Sequence, residues 1–594
     1  MRPAYAWTLL GVFLGPFSHA LTGFSRPCPL LAKATQSEID EARQIVDDAI
    51  AEMARLNEAR HNHPSRNQYR FKPGTSLGKR DAEDEPPPPL LRVTDKIAKA
   101  AALIAEYDAA RTSTAPQILP RAGTFWMENV PHLGTMPWGN DPGYKVFRNV
   151  VKDWGADPTG RADSSDAIEK AMMSGKRCGE KCNGSTTKNA IVYFPPGTYL
   201  VSRTIQIPFG TQVIGDANNR PTIKAASRFT GRVGVLETSP YVEKGGDGPD
   251  GAPLQWYINT ARFFSQIRNI IVDVRDTNET VRLACTHYQA AQAATIEHVD
   301  LVAKTGTKQE GMFAENGSGG SMSDVTFIGG NYGLYGGNQQ FSATRMTFRG
   351  CKTAIRIIWD WGWVWKSLRI QDVEVGMELQ GENGPGGIGS ITIIDSVLTN
   401  IKKASIIMKR LSSATRTSTT GLILDNVKLD TAITDPGGRV IIAPKYYQSL
   451  VVGPVYQNNT RGWLAGESLP YVREETLLAD GPSEGLEVIP YLERERNQYR
   501  DKDASHFVHL KNAGAKGDGI TDDTAAVQKL LDAYGDGSKI IYVDSGTYIL
   551  KDTVTIPKDA KIIGEAWAQF VAQGPQFGDI TAPRPMLRVG NEGD

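Results

Sequence analysis

Ile267-Arg-Asn-Ile-Ile-Val-Asp273 returns four times in altered form: Ile296-Glu-His-Val-Asp-Leu-Val302, Met322-Ser-Asp-Val-Thr-Phe-Ile328, Ala343-Thr-Arg-Met-Thr-Phe-Arg349 and Lys366-Ser-Leu-Arg-Ile-Gln371. The aligned residues Ile270, Val299, Val325, Met346 and Leu368 lie 29, 26, 21 and 22 residues apart. Short β-rich segments at this period, with Gly and Asn at the turns and no helix between them, predict a solenoid of stacked coils. The fold class that follows is all-β, a right-handed parallel β-helix. A leucine-rich repeat would carry a Leu/Asn consensus, and a propeller four strands per blade; neither is present.

A second repeat acts on a larger scale. Gly155-Ala-Asp-Pro-Thr-Gly-Arg-Ala-Asp163 and Gly514-Ala-Lys-Gly-Asp-Gly-Ile-Thr-Asp522 each lead to a Gly-Thr-Tyr, at 197–199 and 546–548. Ile207-Pro208 with Ile214-Gly215 then matches Ile556-Pro557 with Ile563-Gly564. The solenoid is duplicated, and the second copy is short. The expected organisation is a signal peptide over 1–20, a helical extension with an acidic, proline-rich linker over 21–120, and a first β-helix over 121–450. An inter-domain linker over 451–504 and an incomplete second β-helix over 505–594 complete it. The chain reads as a truncated gene product or a fragment.

At the N-terminus, Arg2, the apolar run Ala6–Phe17 and Ser18-His-Ala20 form a secretory leader, so the expected location is extracellular. Helical spacing of Ile39, Ala42, Ile45, Ala49 and Met53 after a Ser37/Asp40 capping pattern predicts a first helix. Ile97, Ala101, Ile104 and Tyr107 predict a second. Lys79-Arg80 between them reads either as a dibasic processing site or as an exposed basic pair. Lys+Arg and Asp+Glu both total 66, so nothing draws the chain to nucleic acid or an anionic membrane. A monomer without metal or cofactor is expected. Cys178 and Cys182, inside an insertion particular to the first copy, suit a local disulfide in an oxidising compartment, against two free thiols. Cys285 and Cys351 read as buried coil residues, and Cys28 as unpaired. The Asp-rich 517–523 stretch suggests helix capping by Asp522 or Thr524 rather than a calcium loop.

Stepping back seven residues from each anchor gives Phe263, Gln292, Ser318, Gln339 and Trp361, stacked at about 4.8 Å per coil. This ladder is either an inward, self-satisfied polar stack or a strip lining a cleft. Trp359, Trp361, Trp363 and Trp365 alternate strictly, which places four indoles on one strand face. Such a face is a platform for pyranose rings or a packing surface, and the length of the run favours the platform.

Several blocks resemble glycoside hydrolase family 55, the fungal exo-acting β-1,3-glucanases. They are Val192-Tyr-Phe-Pro-Pro-Gly-Thr-Tyr-Leu200, Glu315-Asn-Gly-Ser-Gly-Gly-Ser-Met-Ser-Asp324, Gly330-Asn-Tyr-Gly-Leu-Tyr-Gly-Gly-Asn-Gln-Gln-Phe341, Trp359–Lys366 and Tyr491-Leu-Glu-Arg-Glu-Arg-Asn-Gln-Tyr499. The resemblance implies tandem pectate-lyase-like β-helices flanking a cleft. It also implies hydrolysis of β-1,3-glucan from the non-reducing end with inversion, releasing glucose. It assigns water positioning to Gln292 and Ser318, with Gln289 as the fallback glutamine. Glu315 either contributes or stabilises its turn. Substrate contacts fall to Trp359, Trp361, Trp363 and Gln339. The general acid is expected from the second β-helix, beyond residue 594, since Glu565 and Glu592 are the only glutamates of the second copy. A non-catalytic glucan-binding remnant is the alternative. A pectin-active enzyme is weaker, because no Gly-His-Gly or Arg-Ile-Lys occurs.

Overall fold

The computed structural model describes residues 35–61, 94–112, 125–139, 141, 143–231, 233–243, 245–246, 253–379, 387–409, 421–457, 459–468, 473–478 and 488–594. The leader, Cys28 and Lys79-Arg80 lie outside them.

Residues 147–467 wind into three parallel walls. One begins Phe147–Asn149, Ala190–Phe194, Thr211–Gly215, Ser265–Arg268, each strand in register with the next. A second begins Thr159–Asp163, Thr198–Val201, Thr222–Ala225, Ile271–Asp273. The third begins Ile205–Gln206, Gly234–Glu237, Ala284–Tyr288, Glu310–Glu315. The first and second walls meet at one corner residue, which lies inside a single bent strand in Ala294–Val302, Ser321–Ile328, Ser390–Met408 and Gly421–Leu429. That residue has positive φ on seven successive coils: Asn269, His298, Asp324, Arg345, Ser367, Asp395 and Asn426. The sequence anchors Ile270, Val299, Val325, Met346 and Leu368 each follow this corner and are fully buried in one core. Their spacing is therefore the coil repeat.

The second copy repeats the first element by element. Phe507–His509, Asp518–Asp522, a helix and Ile540–Val543 correspond to Phe147–Asn149, Thr159–Asp163, a helix and Ala190–Phe194. The helices, α3 (Ser165–Met173) and α4 (Thr524–Tyr534), follow α1 (Gln36–His61) and α2 (Asp95–Thr112) in the chain. α3 and α4 close the base of their solenoids with Ile168, Ala171 and Met172, and with Val527, Leu530 and Leu531. Asp523 is the N-cap of α4, one residue from each predicted position; its carboxylate accepts from Lys516 and Gly517 N, while Asp522 accepts from Thr524 N. α1 begins two residues earlier than expected, with Thr35 and Glu38 forming the reciprocal pair expected of Ser37 and Asp40.

Ala190–Phe194 and Ile540–Val543 read as unbroken apolar runs because both of their faces are covered. Val192 and Phe194, or Ile541 and Val543, point into their own cores. Ile191 and Tyr193 meet Ile540 and Tyr542 across the junction, wedged by Phe125 and Trp126. The solenoids thus stand side by side on equivalent walls.

The expected boundary at residue 450 needs correction. Tyr446–Gln457 pairs antiparallel with Gly421–Leu429 and then with Thr460–Glu467. This hairpin covers the open edge of Gly421–Leu429, which would otherwise seek a partner, so the first unit runs to Glu467. Residues 488–500 then return along the left-handed corner. Ile489 N and O bond Asn426, Arg494 O accepts from Arg345, and Gln498 Oε1 accepts from Asn269 Nδ2. Nine residues of extended chain span about 30 Å, and six coil steps span about 29 Å. The linker therefore advances in step with the coils and starts the second solenoid beside the base of the first.

Candidate active site

The offsets 29, 26, 21 and 22 hold in the wall that carries the ladder, where Ser265 pairs with Ala294, Thr295 with Ser321, Ser321 with Ser342, and Ser342 with Val364. Continued a few residues upstream, the same offsets align Phe263, Gln292, Ser318, Gln339 and Trp361. Phe264 and Ala293 have positive φ, turning the chain into the wall directly after the first two rungs. Gly317 is required for close approach, since a Cβ there would lie 2.1 Å from Ala290 O.

At the centre, Ser318 Oγ donates to Gln292 Oε1 at 3.1 Å. Ser318 O accepts from Gln292 Nε2 at 3.3 Å and from Gln340 Nε2 at 3.1 Å. Gln292 and Gln340 are exposed, while Ser318 is buried between them. Gln292, Ser318 and Gln340 thus make a hydrogen-bonded polar strip. Gln339, chosen from the register, is buried. Residues one apart on a strand face opposite ways, and a one-residue error swaps them.

Gln289 sits at 0 % exposure with both amide atoms lacking a hydrogen-bond partner among the described residues, so it lies beneath the strip. Glu315 belongs to the third wall. Its carboxylate accepts from Tyr241 OH at 2.6 Å and faces His287 Nε2 at 2.9 Å. Burial lowers the His287 pKa, but hydrogen bonds to Glu237 and Glu315 outweigh it and lift the ring to about 9. These contacts tether the segment that carries Tyr241.

The tryptophan run does not form a platform of four. Trp359, Trp363 and Trp365 are buried, and Trp361 alone is 45 % exposed. Strict alternation fails because Thr353–Lys366 passes from the third wall to the first within the run, with a register shift opposite Gly336/Gly337. Trp363 and Trp365 stack at 5.4 Å in the core. Asp360, which no motif flagged, is 2 % exposed and accepts from Gly389 N at 2.9 Å and Ser390 N at 3.4 Å. Burial pushes its carboxyl up to about 7 against these bonds.

Glu565 lies at the junction of the solenoids. It accepts from Ser545 N at 2.9 Å and pairs with His132 Nδ1 at 2.8 Å. Burial would raise its pKa, yet His132, Ser545 N and nearby Lys511 together hold it below the usual range. It is a buried carboxylate that joins the two solenoids, unsuited to donating a proton. Cys178 and Cys182 are disulfide-bonded, and Cys285 and Cys351 are buried and free. Asn183-Gly-Ser has the pattern of an N-glycosylation acceptor, but Asn183 is 6 % exposed with its Oδ1 bound to Ile258 N and is closed to modification in the folded chain.

Three relatives place this geometry. The chain is 36 % identical over 501 residues to "Non-secreted LysM effector LysM19" of Penicillium expansum, covering 80 % of this chain and 38 % of the relative. It is 34 % identical over 580 residues to "Probable glucan endo-1,3-beta-glucosidase" of Arthroderma benhamiae, covering 80 % and 64 %. It is 32 % identical over 482 residues to "Glucan 1,3-beta-glucosidase" of Cochliobolus carbonum, covering 79 % and 59 %. The chain thus spans between about a third and two-thirds of the length of the curated relatives it matches. The family described as "Rhamnogalacturonase A/epimerase, pectate lyase-like" matches residues 147–378 and 507–582, just over half of the chain. With duplicated parallel solenoids and a family model that matches more than half of its residues, the chain belongs to this pectate-lyase-like family.

Proposed function

We propose that this protein is a secreted glycoside hydrolase that cleaves β-1,3-glucan from the non-reducing end with inversion, releasing glucose. The observation that carries the reading is the Gln292–Ser318 pair, hydrogen-bonded across adjacent coils at the exposed edge. The names of the glucosidase relatives support the substrate class.

Inversion needs a water held on the face opposite the leaving oxygen. Ser318 Oγ spends its one proton on Gln292 Oε1, which leaves its lone pairs free to accept from a water. Gln292 Nε2 has a second N–H beyond the one given to Ser318 O, and can donate to the same water. The pair therefore orients the nucleophilic water without itself exchanging protons, and the proton that this water loses on attack must pass to a base outside the pair. Trp361 offers an apolar face for a sugar ring two coils away. The proton for the leaving oxygen must come from a carboxyl other than Glu565.

The test is reducing-sugar release from laminarin by the secreted protein, with polygalacturonate as the control polymer. Glucose with initial α configuration, lost in Gln292→Ala and Ser318→Ala, is the expected result. Retention on laminarin without any hydrolysis would replace the proposal with a glucan-binding role, and activity on polygalacturonate would overturn the substrate class.

A further inference from the structure

We propose that His298, Asp324 and Glu495 bind a divalent transition-metal ion of the zinc class, and that this ion staples the linker at 488–500 to the corner of the first solenoid. An imidazole nitrogen and two carboxylate oxygens, one atom from each residue, lie within 4.8 Å of one another. Zinc accepts this donor set, whereas calcium and magnesium favour oxygen alone. With bonds of about 2.1 Å, the ligand atoms of a tetrahedral zinc site lie about 3.4 Å apart. Glu495 is exposed, so its side chain can supply the movement that closes the set.

Two further observations point to a ligand. The first is the imidazole. His298 Nε2 is a buried atom with no hydrogen-bond partner among the described residues, and Asp324 Oδ2 is 3.8 Å away, beyond hydrogen-bonding reach. Burial outweighs the carboxylates of Asp324, Glu495 and Glu297 and holds the ring below its usual pKa, so it stays in the neutral, ligating form near pH 7. The second is a gap in the way the linker is held. Corner side chains bond it at Asn426, Ser367, Arg345 and Asn269. The corner residues between Arg345 and Asn269 are Asp324 and His298, and neither makes a hydrogen bond to the linker among the described residues. Glu493 answers Arg345 and Lys366. Glu495, two residues on, reaches the corner with no hydrogen bond or ion pair of its own among the described residues.

The surroundings suit a cation. Two nearby guanidiniums are committed to other carboxylates, Arg220 to Asp300 at 2.6 Å and Arg496 to Glu297 at 3.2 Å. Arg345 supports the site from outside. Its Nε and Nη2 donate to the two oxygens of Asp324 at 2.7 and 2.9 Å, which fixes the carboxylate while each oxygen keeps a lone pair for a ligand. The three groups open into a cavity of about 610 Å³ lined by His298 and residues 493–501, with room for the waters that complete the coordination. The linker determines where the second solenoid starts, so an ion here fixes the second solenoid against the first.

The test is calorimetric titration of zinc chloride into the full chain after removal of metal with a chelator, with calcium chloride as the control and hydrogen exchange as the structural readout. One zinc ion per chain, calcium weaker by at least tenfold, and several-fold slower exchange over 488–500 on adding zinc are expected. His298→Ala and Glu495→Gln should each weaken zinc at least tenfold and abolish the slowing while near-UV circular dichroism stays native. Glu495 is exposed, so its variant carries the test even where His298→Ala disturbs the corner. Cobalt should give the intense visible bands of a four-coordinate site in wild type and lose them in both variants. Zinc held equally by wild type and both variants would mean an adventitious ion only and overturn the site, as would no zinc binding or equal binding of calcium. Zinc binding that leaves exchange over 488–500 unchanged would overturn the staple.

Discussion

Replacing Asp360 by Asn should make the first solenoid more stable at pH 8 and leave it nearly unchanged, or slightly weaker, at pH 4. The carboxyl is 2 % exposed, and burial moves it from 3.8 to about 7 against the opposing N–H groups of Gly389 and Ser390. A carboxyl whose folded pKa is raised favours folding below its unfolded pKa, and that advantage is lost as pH rises through the folded value. Between pH 4 and pH 8 the lost stability is on the order of 4 kcal/mol, from about 1.36 kcal/mol per pKa unit. Asparagine keeps an acceptor for one of the two N–H groups and forfeits about 1 kcal/mol on the other. The net expectation is a gain of ~3 kcal/mol at pH 8. Urea unfolding of wild type and Asp360→Asn across this range isolates the residue, because Glu310, His287 and every other titrating group remain in both proteins. A stability difference that does not change with pH would refute the reasoning.

Other consequences follow from the same contacts. Trp361→Ala should weaken laminarin retention in affinity gels without moving the unfolding midpoint, whereas Trp363→Ala, 1 % exposed, should cost about 3–5 kcal/mol of stability. Glu565→Ala leaves Ser545 N and His132 without their acceptor at the junction and should cost about 1–3 kcal/mol, seen as faster hydrogen exchange over 540–566. Because Glu565 is held below its usual pKa, its contribution is present above that usual value and is lost as pH falls through the folded one. Wild type should therefore approach the exchange rates of Glu565→Ala in acid. Asn269→Ala removes bonds to Gly215 O and Gln498 Oε1 at a residue with φ of 59°, and should raise exchange over 488–500 by tenfold or more; Asn269→Gly should recover the backbone part.

The coil repeat could be read from the sequence because one position per turn is constrained twice. Ile270 and its equivalents must be apolar to fill the core, and the residue before each must accept a left-handed corner. Those constraints fix a register, and the register carried Gln292 and Ser318 to adjacent coils although they are 26 residues apart. The same register could not say where a strand bends between walls. That is why the four tryptophans read as one face when the bend after Trp359 divides them, and why the register points to Gln339 where Gln340 is the exposed residue. Contacts between units left no local trace. His132 meets Glu565 across 433 residues, and residues 488–500 are held by corner side chains of coils spread from Asn269 to Asn426, with no periodicity of their own. Asp360 was missed for a related reason, since a single carboxyl between tryptophans carries no motif, and only its burial marks it.

The measurement that bears most directly on the glucan site is titration of laminarihexaose into the wild-type chain, Gln292→Ala and Ser318→Ala, with hexagalacturonate as the control. The account predicts saturable binding of the neutral oligosaccharide alone, weakened at least tenfold by either substitution while folding is preserved. Binding that survives both substitutions undiminished, or a preference for the galacturonate, would contradict it.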